Sequence, residues 1–443
     1  LTGDFEKPRY FQIQSAVCAH STRGLSGCTR CLEVCPADAI SSRPGRIDAT
    51  IEIDPHRCHG VGSCSSACPT GAIEFRQPHS HHQQDALVAW LAAYHEAGGR
   101  QAVVRFVQAD PGAAPGQSPA TAGHVIDVPL EELGAAGADQ WLTALAAGAA
   151  EVRLQRHAEM PATLQRVLEQ QLSEARALLS ALGHDPQRIA WLDIDDSHGR
   201  DALPRFSAIV ESPVDLHAPA RSVGEPATEL PTPGIGIGIG TGTKSGALGA
   251  DQPNAKRLGK PNAHGASQDD GKRHRFNRVL DHLALHGELD GHRHALGPDT
   301  AFGGLRVDAG ACTLCMGCVA SCPTSALEAG GTLPQLTFRE ADCVQCGLCE
   351  KACPEQAIAL LPGFLAAPER STRRVCHEDS PFACICCGKA FANTGTIAAI
   401  KTKLADHPYF AGEAAARLEM CEDCRVKDVW QALAKDPESQ LKV

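Results

Sequence analysis

The cysteines of this chain recur in one spacing, and that spacing restricts what the chain can fold into more than any other feature. The sequence reads Cys312-Thr-Leu-Cys315-Met-Gly-Cys318-Val-Ala-Ser-Cys322-Pro323 and then Cys343-Val-Gln-Cys346-Gly-Leu-Cys349-Glu-Lys-Ala-Cys353-Pro354. Two residues between cysteines let a tight loop aim successive thiolates at one centre while its N–H groups offset the negative charge there. A C-x2-C-x2-C-x3-C-P run is a [4Fe–4S] ligand set whose fourth cysteine serves the neighbouring cluster. The spacing therefore assigns Cys312, Cys315, Cys318 and Cys353 to one [4Fe–4S] cluster and Cys343, Cys346, Cys349 and Cys322 to another. A disulfide scaffold needs an oxidising compartment and does not demand this register twice.

An altered copy stands near the N-terminus. Cys28-Thr-Arg-Cys31-Leu-Glu-Val-Cys35-Pro36 holds three cysteines in register, but the first falls at Cys18, with Ala19 to Gly27 inserted where Leu25 marks the expected position. The second half, Cys58-His-Gly-Val61-Gly-Ser-Cys64-Ser-Ser-Ala-Cys68-Pro69, carries valine in place of the middle cysteine. Each Cys-Pro is followed by small residues and then Ala-Ile or Ala-Leu, an internal repeat of four half-motifs. Cys18, Cys28, Cys31 and Cys68 suffice for a [4Fe–4S] cluster, whereas Cys35, Cys58 and Cys64 give the second site only three thiolates. This module resembles the seven-iron ferredoxins, and the resemblance implies a [3Fe–4S] cluster at the second site. A four-iron cluster completed by His59, His56, a serine or water, and a lost or labile cluster, remain the other readings.

At 443 residues the chain is too long for one core. Its 41 basic and 52 acidic residues leave a net charge of −11, which argues against nucleic acid as a partner. No run of eighteen apolar residues marks a membrane span, and Leu1 to Lys7 lacks a basic-then-apolar signal. The expectation is a soluble, cytoplasmic protein without direct membrane insertion. It is multidomain, α+β and α/β. A ferredoxin-like dicluster module spans 8–78, a cysteine-free α/β domain 85–217, a flexible Pro/Gly/Ser-rich linker 218–272, a complete dicluster module 273–365, and a Cys-rich metal-knuckle region 370–443.

In the cysteine-free domain, short β-branched runs alternate with helical patterns, as in a doubly wound parallel sheet. Asp85 to Ala97 reads as a helix and Ala102 to Val107 as a strand. A loop of small residues and proline runs from Asp110 to Gly123, a strand lies near His124 to Val128, a helix spans Ala138 to Ala147, a strand Glu151 to Gln155, a long helix Pro161 to Leu182, and a strand Ile189 to Ile194. No G-x-G-x-x-G opens the first helix, so a dinucleotide site lacks its phosphate cradle. Gly137-Ala138-Asp139, Ala150-Glu151-Val152-Arg153-Leu154 and Leu182-Gly183-His184-Asp185-Pro186 resemble the δ subunit of methyl-viologen-reducing hydrogenases, which links hydrogenase to heterodisulfide reductase. That family carries cysteines here and this stretch has none, which implies a domain that kept the fold for docking or spacing. Past the linker, Arg273 to His286 reads as a basic amphipathic helix with Phe276, Val279, Leu280 and Leu283 on one face, facing its own ferredoxin module in preference to a partner.

The C-terminal region holds Cys376, then Cys384-Ile-Cys386-Cys387-Gly388, then Cys421-Glu-Asp-Cys424. Paired C-x2-C units suit tetrahedral Zn2+, and Cys384, Cys387, Cys421 and Cys424 are the expected ligands of a zinc-ribbon-like site. The stretch between them exceeds the roughly fifteen to twenty residues usual in a ribbon, and an iron–sulfur site using Cys376 or Cys386 is the competing reading.

These features define an expected iron–sulfur relay of single electrons with three [4Fe–4S] clusters, one [3Fe–4S] cluster and zinc. The layout resembles bacterial polyferredoxins that accompany formate dehydrogenase-type oxidoreductases, which implies a non-catalytic accessory subunit with redox enzyme subunits as partners and no small-molecule substrate. Two other classes stay open: a flavin-dependent oxidoreductase using the α/β domain, and a maturation or interaction factor gripping a redox enzyme through the C-terminal knuckles.

Overall fold

The computed structural model describes residues 7–76, 80–109, 122–156, 160–193, 202–217, 271–331 and 333–435. Almost all of the expected linker at 218–272, and the expected loop at 110–123 as far as residue 121, lie outside the described residues.

The first module comprises β1 (Phe11–Ile13), β2 (Ser21–Thr22), β3 (Leu25–Ser26), α1 (Arg30–Glu33), β4 (Ile40–Pro44), β5 (Ala49–Ile53), α2 (Ser63–Ala67) and β6 (Ile73–Phe75). β1 pairs antiparallel with β6, and β4 with β5. The insert between Cys18 and Cys28 forms the β2–β3 hairpin. Its turn residues Arg23 and Gly24 have φ of 51° and 79°, the left-handed geometry that a two-residue hairpin loop requires.

The central domain follows with α3 (Ser80–Glu96), β7 (Ala102–Gln108), β8 (Val125–Leu130), α4 (Ala138–Ala146), β9 (Ala149–Arg156), α5 (Ala162–Ala181) and β10 (Ile189–Asp193). Its four strands are parallel in the order β10-β9-β7-β8, which reverses direction after β8 as doubly wound sheets do. Val104, Phe106, Val128, Val152 and Leu154 on one face join the helices in a single apolar core. The opposite face is charged: Arg105 pairs with Asp127 at 2.6 Å, and Glu151 with Arg153 at 3.0 Å. Among the described residues no helix covers it. Extended chain from residue 202 onward lies there, Ala202 O accepting from Arg153 and Ser207 O from Arg188. Buried polar groups need partners, and these side chains find them in one another and in this irregular strap.

Helix α6 (Lys272–Ala284) is the hub of the molecule. Val279, Leu280 and Leu283 are 0% exposed and Phe276 stacks edge-on against Phe302 at 5.7 Å, but the apolar face joins the core of the central α/β domain, together with Phe302 and Phe364, and not the cluster-binding core of its own ferredoxin module as expected. Its basic residues are equally engaged. Lys272 Nζ donates to Ser65 O and Ser66 O of the first module, Arg275 reaches Gln84 and Asp85 of α3, and Arg273 reaches Ala341 O and Cys343 O of the second module. The basic run thus ties three units together by donating to carbonyls and carboxylates.

The second module contains β11 (Arg293–His294), β12 (Gly303–Val307), α7 (Gly317–Ser321), β13 (Leu327–Ala329), β14 (Gln335–Phe338), α8 (Leu348–Lys351), β15 (Ile358–Pro362) and β16 (Phe364–Leu365). Its β12–β15 and β13–β14 pairs repeat the β1–β6 and β4–β5 pairs of the first. The C-terminal region adds β17 (Arg374–Glu378) to β14 as a third strand. It continues with the hairpin β18 (Pro381–Ala383) and β19 (Ala390–Asn393), α9 (Thr394–Lys403) and α10 (Glu422–Lys435). No helix among the described residues is long and apolar enough to cross a membrane.

Candidate metal centres

Three of the four cysteine loops share one backbone device, which the loop around Cys28 lacks. In Cys343-Val-Gln-Cys346-Gly, Gln345 and Gly347 have φ of 51° and 77°, and Leu314 and Met316 around Cys315 have 53° and 59°. This left-handed pair curls the loop so that the thiols converge. Gly60 and Gly62 flank Val61 with φ of 79° and 89°, so the incomplete loop keeps the same conformation with valine where the thiol would be. Three residues beyond each Cys-Pro cysteine the chain is again left-handed, at Asp38, Gly71, Ser325 and Gln356. The four half-motifs therefore share their exit turn even where their ligand spacing differs.

The thiols gather in the groups that the spacing anticipates. Burial first, then the charges of Cys68, Cys28 and Cys18, push Cys31 up to about 12. Burial and then Cys35 and Cys58 push Cys64 well above the usual thiol range. Cys318 rises to about 12 through burial with Cys312 and Cys315 nearby, and Cys353 acts on Cys312. Cys346 rises to about 12 through burial, with Cys322 and Cys343 adding to it, and burial, then Cys343, Cys346 and Cys322, raises Cys349. Crowded, desolvated thiols of this kind are poor anions on their own and become thiolates by binding metal, with release of protons.

Cavities of equal size open at three of the thiol groups, each about 20 Å3: at Cys312, Cys315, Cys318 and Cys353, at Cys322, Cys343, Cys346 and Cys349, and at Cys35, Cys58 and Cys64. Loss of one thiol has not collapsed the third site. His59 and Ser63 line it, and the buried Ser63 hydroxyl has no hydrogen-bond partner among the described residues. Further N–H groups aim at sulfur: Ala39 N to Cys35 Sγ at 3.3 Å, Ala357 N to Cys353 Sγ at 3.2 Å and Gln345 Nε2 to Cys343 Sγ at 3.3 Å. Such donors favour the more negative, reduced state of a cluster.

Arg273 supplies a full charge beside one of these loops. Its Nη2 donates to Cys343 O at 2.7 Å, its Nε to Ala341 O at 2.8 Å, and its guanidinium lies 4.4 Å from the Phe302 ring centre. Burial, and then Arg370, lower it to about 10, which leaves it cationic near neutrality. Arg273→Gln is expected to make the Cys322/Cys343/Cys346/Cys349 site harder to reduce and to cost about 1–3 kcal/mol for the acceptor left bare. A redox titration paired with thermal unfolding measures both.

The C-terminal knuckles also converge. The sulfurs of Cys384, Cys387, Cys421 and Cys424 all lie within 4.8 Å of one another, and Cys387 and Cys421 are 3.7 Å apart. Four thiolates at about 2.3 Å from one tetrahedral ion sit about 3.8 Å apart, whereas a cubane spreads its thiolates over four irons. Burial raises the Cys384 thiol, but the N–H groups of Cys421, Cys387 and Cys386 outweigh it and bring it down to about 6. The first pair lies between β18 and β19 and the second at the start of α10, so the site joins a hairpin to a helix and not two hairpins of a ribbon. Cys376 lies apart from it on β17, close enough to Cys312 to feel its charge. Spacing alone gave no sign of that proximity, which comes from β17 joining the second module's sheet.

A family model described as the 4Fe-4S dicluster domain matches residues 26–72 and again residues 311–357. The chain thus carries two ferredoxin-type dicluster domains and is a polyferredoxin-like, metal-binding iron–sulfur protein with a role in electron transfer. The first match begins after Cys18, the cysteine displaced by the insert. No curated protein matches the chain.

Proposed function

We propose that this protein is a non-catalytic electron-transfer subunit accessory to a larger oxidoreductase of the formate dehydrogenase or hydrogenase kind. The observation that carries the reading is that both dicluster domains and the α/β domain form one packed body through α6, with thiol sites in both modules. In this reading Cys18, Cys28, Cys31 and Cys68 hold one [4Fe–4S] cluster, and the two sets of the second module hold two more. Cys35, Cys58 and Cys64 hold a [3Fe–4S] cluster, and Cys384, Cys387, Cys421 and Cys424 hold zinc. Bound clusters supply one-electron chemistry, while the protein sets their burial, hydrogen bonds and nearby charge.

The α/β domain serves as the docking scaffold that its likeness to the hydrogenase δ subunit implies. The loop after β8 lies at a strand C-terminal end, where open α/β sheets commonly bind ligands. Here it is occupied by the first module. A Cβ on Gly134 would meet Val61 O at 2.7 Å, one on Gly62 would meet Ala135 Cα at 2.6 Å, and Gln171 Nε2 donates to Ser66 Oγ at 2.9 Å. The cavity left beside it, between Asp139, Arg166, Glu174 and Lys272, holds about 190 Å3. That is below the roughly 300–1,000 Å3 of small-molecule sites, which weighs against the flavin reading.

Affinity purification from native cells under anaerobic conditions tests the partner. Co-purification of a molybdenum, tungsten or hydrogenase-type subunit supports the reading, and recovery of the loaded protein free of any redox enzyme contradicts it.

A further inference from the structure

The insert that displaces Cys18 supplies no ligand to any site, yet it reaches the other ferredoxin module. Lys351 Nζ of α8 donates to Ser26 O at 2.6 Å across 325 positions of sequence. Gly27 packs so closely that a Cβ there would lie 2.8 Å from Leu348 Cγ and 2.3 Å from Ala19 O, and Leu348 is fully buried. Just beyond the insert, the Arg30 guanidinium spans both modules. It donates to Asp299 O at 3.1 Å, Thr300 O at 2.8 Å, Val344 O at 3.3 Å and the Cys28 sulfur at 3.5 Å. Val344 stands between Cys343 and Cys346 in the second module's loop.

We propose that the β2–β3 insert and Arg30 form a clamp that holds the Cys28 loop against the Cys346 loop, with Arg30 as the positioning residue of the junction and the source of positive charge between the two sites. The proposal rests on the electron-transfer reading above and deepens it. Only a planar, always-charged fork satisfies acceptors from three chain segments at once; a lysine ammonium is a single point on a flexible stem. Arg30, bonded to the Cys28 sulfur and to Val344 O, brings the Cys28 loop against the loop of Cys343 and Cys346. Within each module the fourth cysteine of each half crosses to the other site, so the thiol sites follow in one file: Cys35/Cys58/Cys64, then Cys18/Cys28/Cys31/Cys68, then Cys322/Cys343/Cys346/Cys349, then Cys312/Cys315/Cys318/Cys353. The junction is the link between modules, and the partly buried positive charge of Arg30 there favours the reduced state of the sites on both sides.

The test uses the full chain, loaded with iron and sulfide under anaerobic conditions, in an EPR-monitored redox titration. Arg30→Gln should shift the two junction sites to more negative potential and weaken the spin–spin broadening seen when both are reduced. Arg30→Lys should recover most of the potential but not the broadening, and Gly27→Ala should lose broadening while potentials stay near wild type. A purely structural Arg30 would lower thermal stability and move neither readout, which overturns the clamp. If Arg30→Gln fails to take up iron, the Arg30→Lys and Gly27→Ala pair decides, and broadening unchanged in both overturns it equally. Wild-type protein that loads but gives no reduced-cluster signal overturns the electron-transfer reading along with the clamp. Normal reduction with unchanged variants overturns the clamp alone.

Discussion

Val61→Cys is expected to convert the Cys35/Cys58/Cys64 site from three irons to four. Iron content should rise by one per chain, and the EPR signal of the oxidised protein should vanish, because an oxidised three-iron cluster is paramagnetic and an oxidised four-iron cluster is not. The backbone is already arranged for this. Gly60 and Gly62 hold the left-handed angles that Gln345 and Gly347 hold around Cys346, and the cavity there is the size of that at the complete site, about 20 Å3. A thiol at position 61 therefore meets a preformed loop, and Val61 is only partly buried, so little packing is lost. The potential of the site should fall, since the added iron and thiolate change the cluster type. Unchanged iron content with the oxidised signal retained would exclude a site that lacks only its fourth ligand. If Ser63 or His59 already completes a four-iron cluster, the wild type will lack the oxidised signal from the start.

Cys421→Ser is expected to remove one equivalent of metal and to unfold the C-terminal unit from about residue 381 onward, while both dicluster domains keep their iron. The apolar cluster there is small. Cys384, Met420 and Cys421 are its buried members, and none of the described side chains of α10 is buried. Metal binding worth about 10–16 kcal/mol in structural zinc sites exceeds anything so small a core can supply. The damage should reach one step further. Asn393 Nδ2 and Thr396 Oγ1 donate to Thr313 O, between Cys312 and Cys315, so this unit braces a cluster loop. Elemental analysis combined with amide exchange measures the outcome. A metal-free variant with unchanged protection in α9 and α10 would show that the thiols are not what holds the unit together.

What could be read from the sequence follows from how local each signal is. Ligand spacing, the four exit turns and the apolar face of α6 depend on residues a few positions apart, and they appear in the structure where the pattern puts them. The alternation of strands and helices likewise marked the parallel sheet, with its first helix starting at Ser80 and not at Asp85. The junction was not legible, because Arg30 finds its partners about 270 positions away at Asp299 and Thr300. The insert looked like an interruption of the motif until its contacts with Leu348 and Lys351 gave it a purpose. The second face of the sheet was not legible for a related reason. Arg105, Asp127, Glu151 and Arg153 alternate with apolar residues, a pattern as compatible with a charged strap as with a helical layer. The second knuckle pair fell on a helix because Glu422 and Asp423 open α10, where acidic residues suit a helix N-terminus.

Anaerobic EPR of the full chain during stepwise reduction tests the central claim most directly. The account predicts a three-iron signal in the oxidised protein that disappears on reduction. Signals from reduced four-iron sites should follow, broadened by interaction across the two modules, with iron and sulfide contents to match. Protein that binds iron and sulfide fully yet shows isolated, non-interacting signals from each module would contradict a single file of sites, and failure to form clusters in either dicluster domain would contradict the electron-transfer role itself.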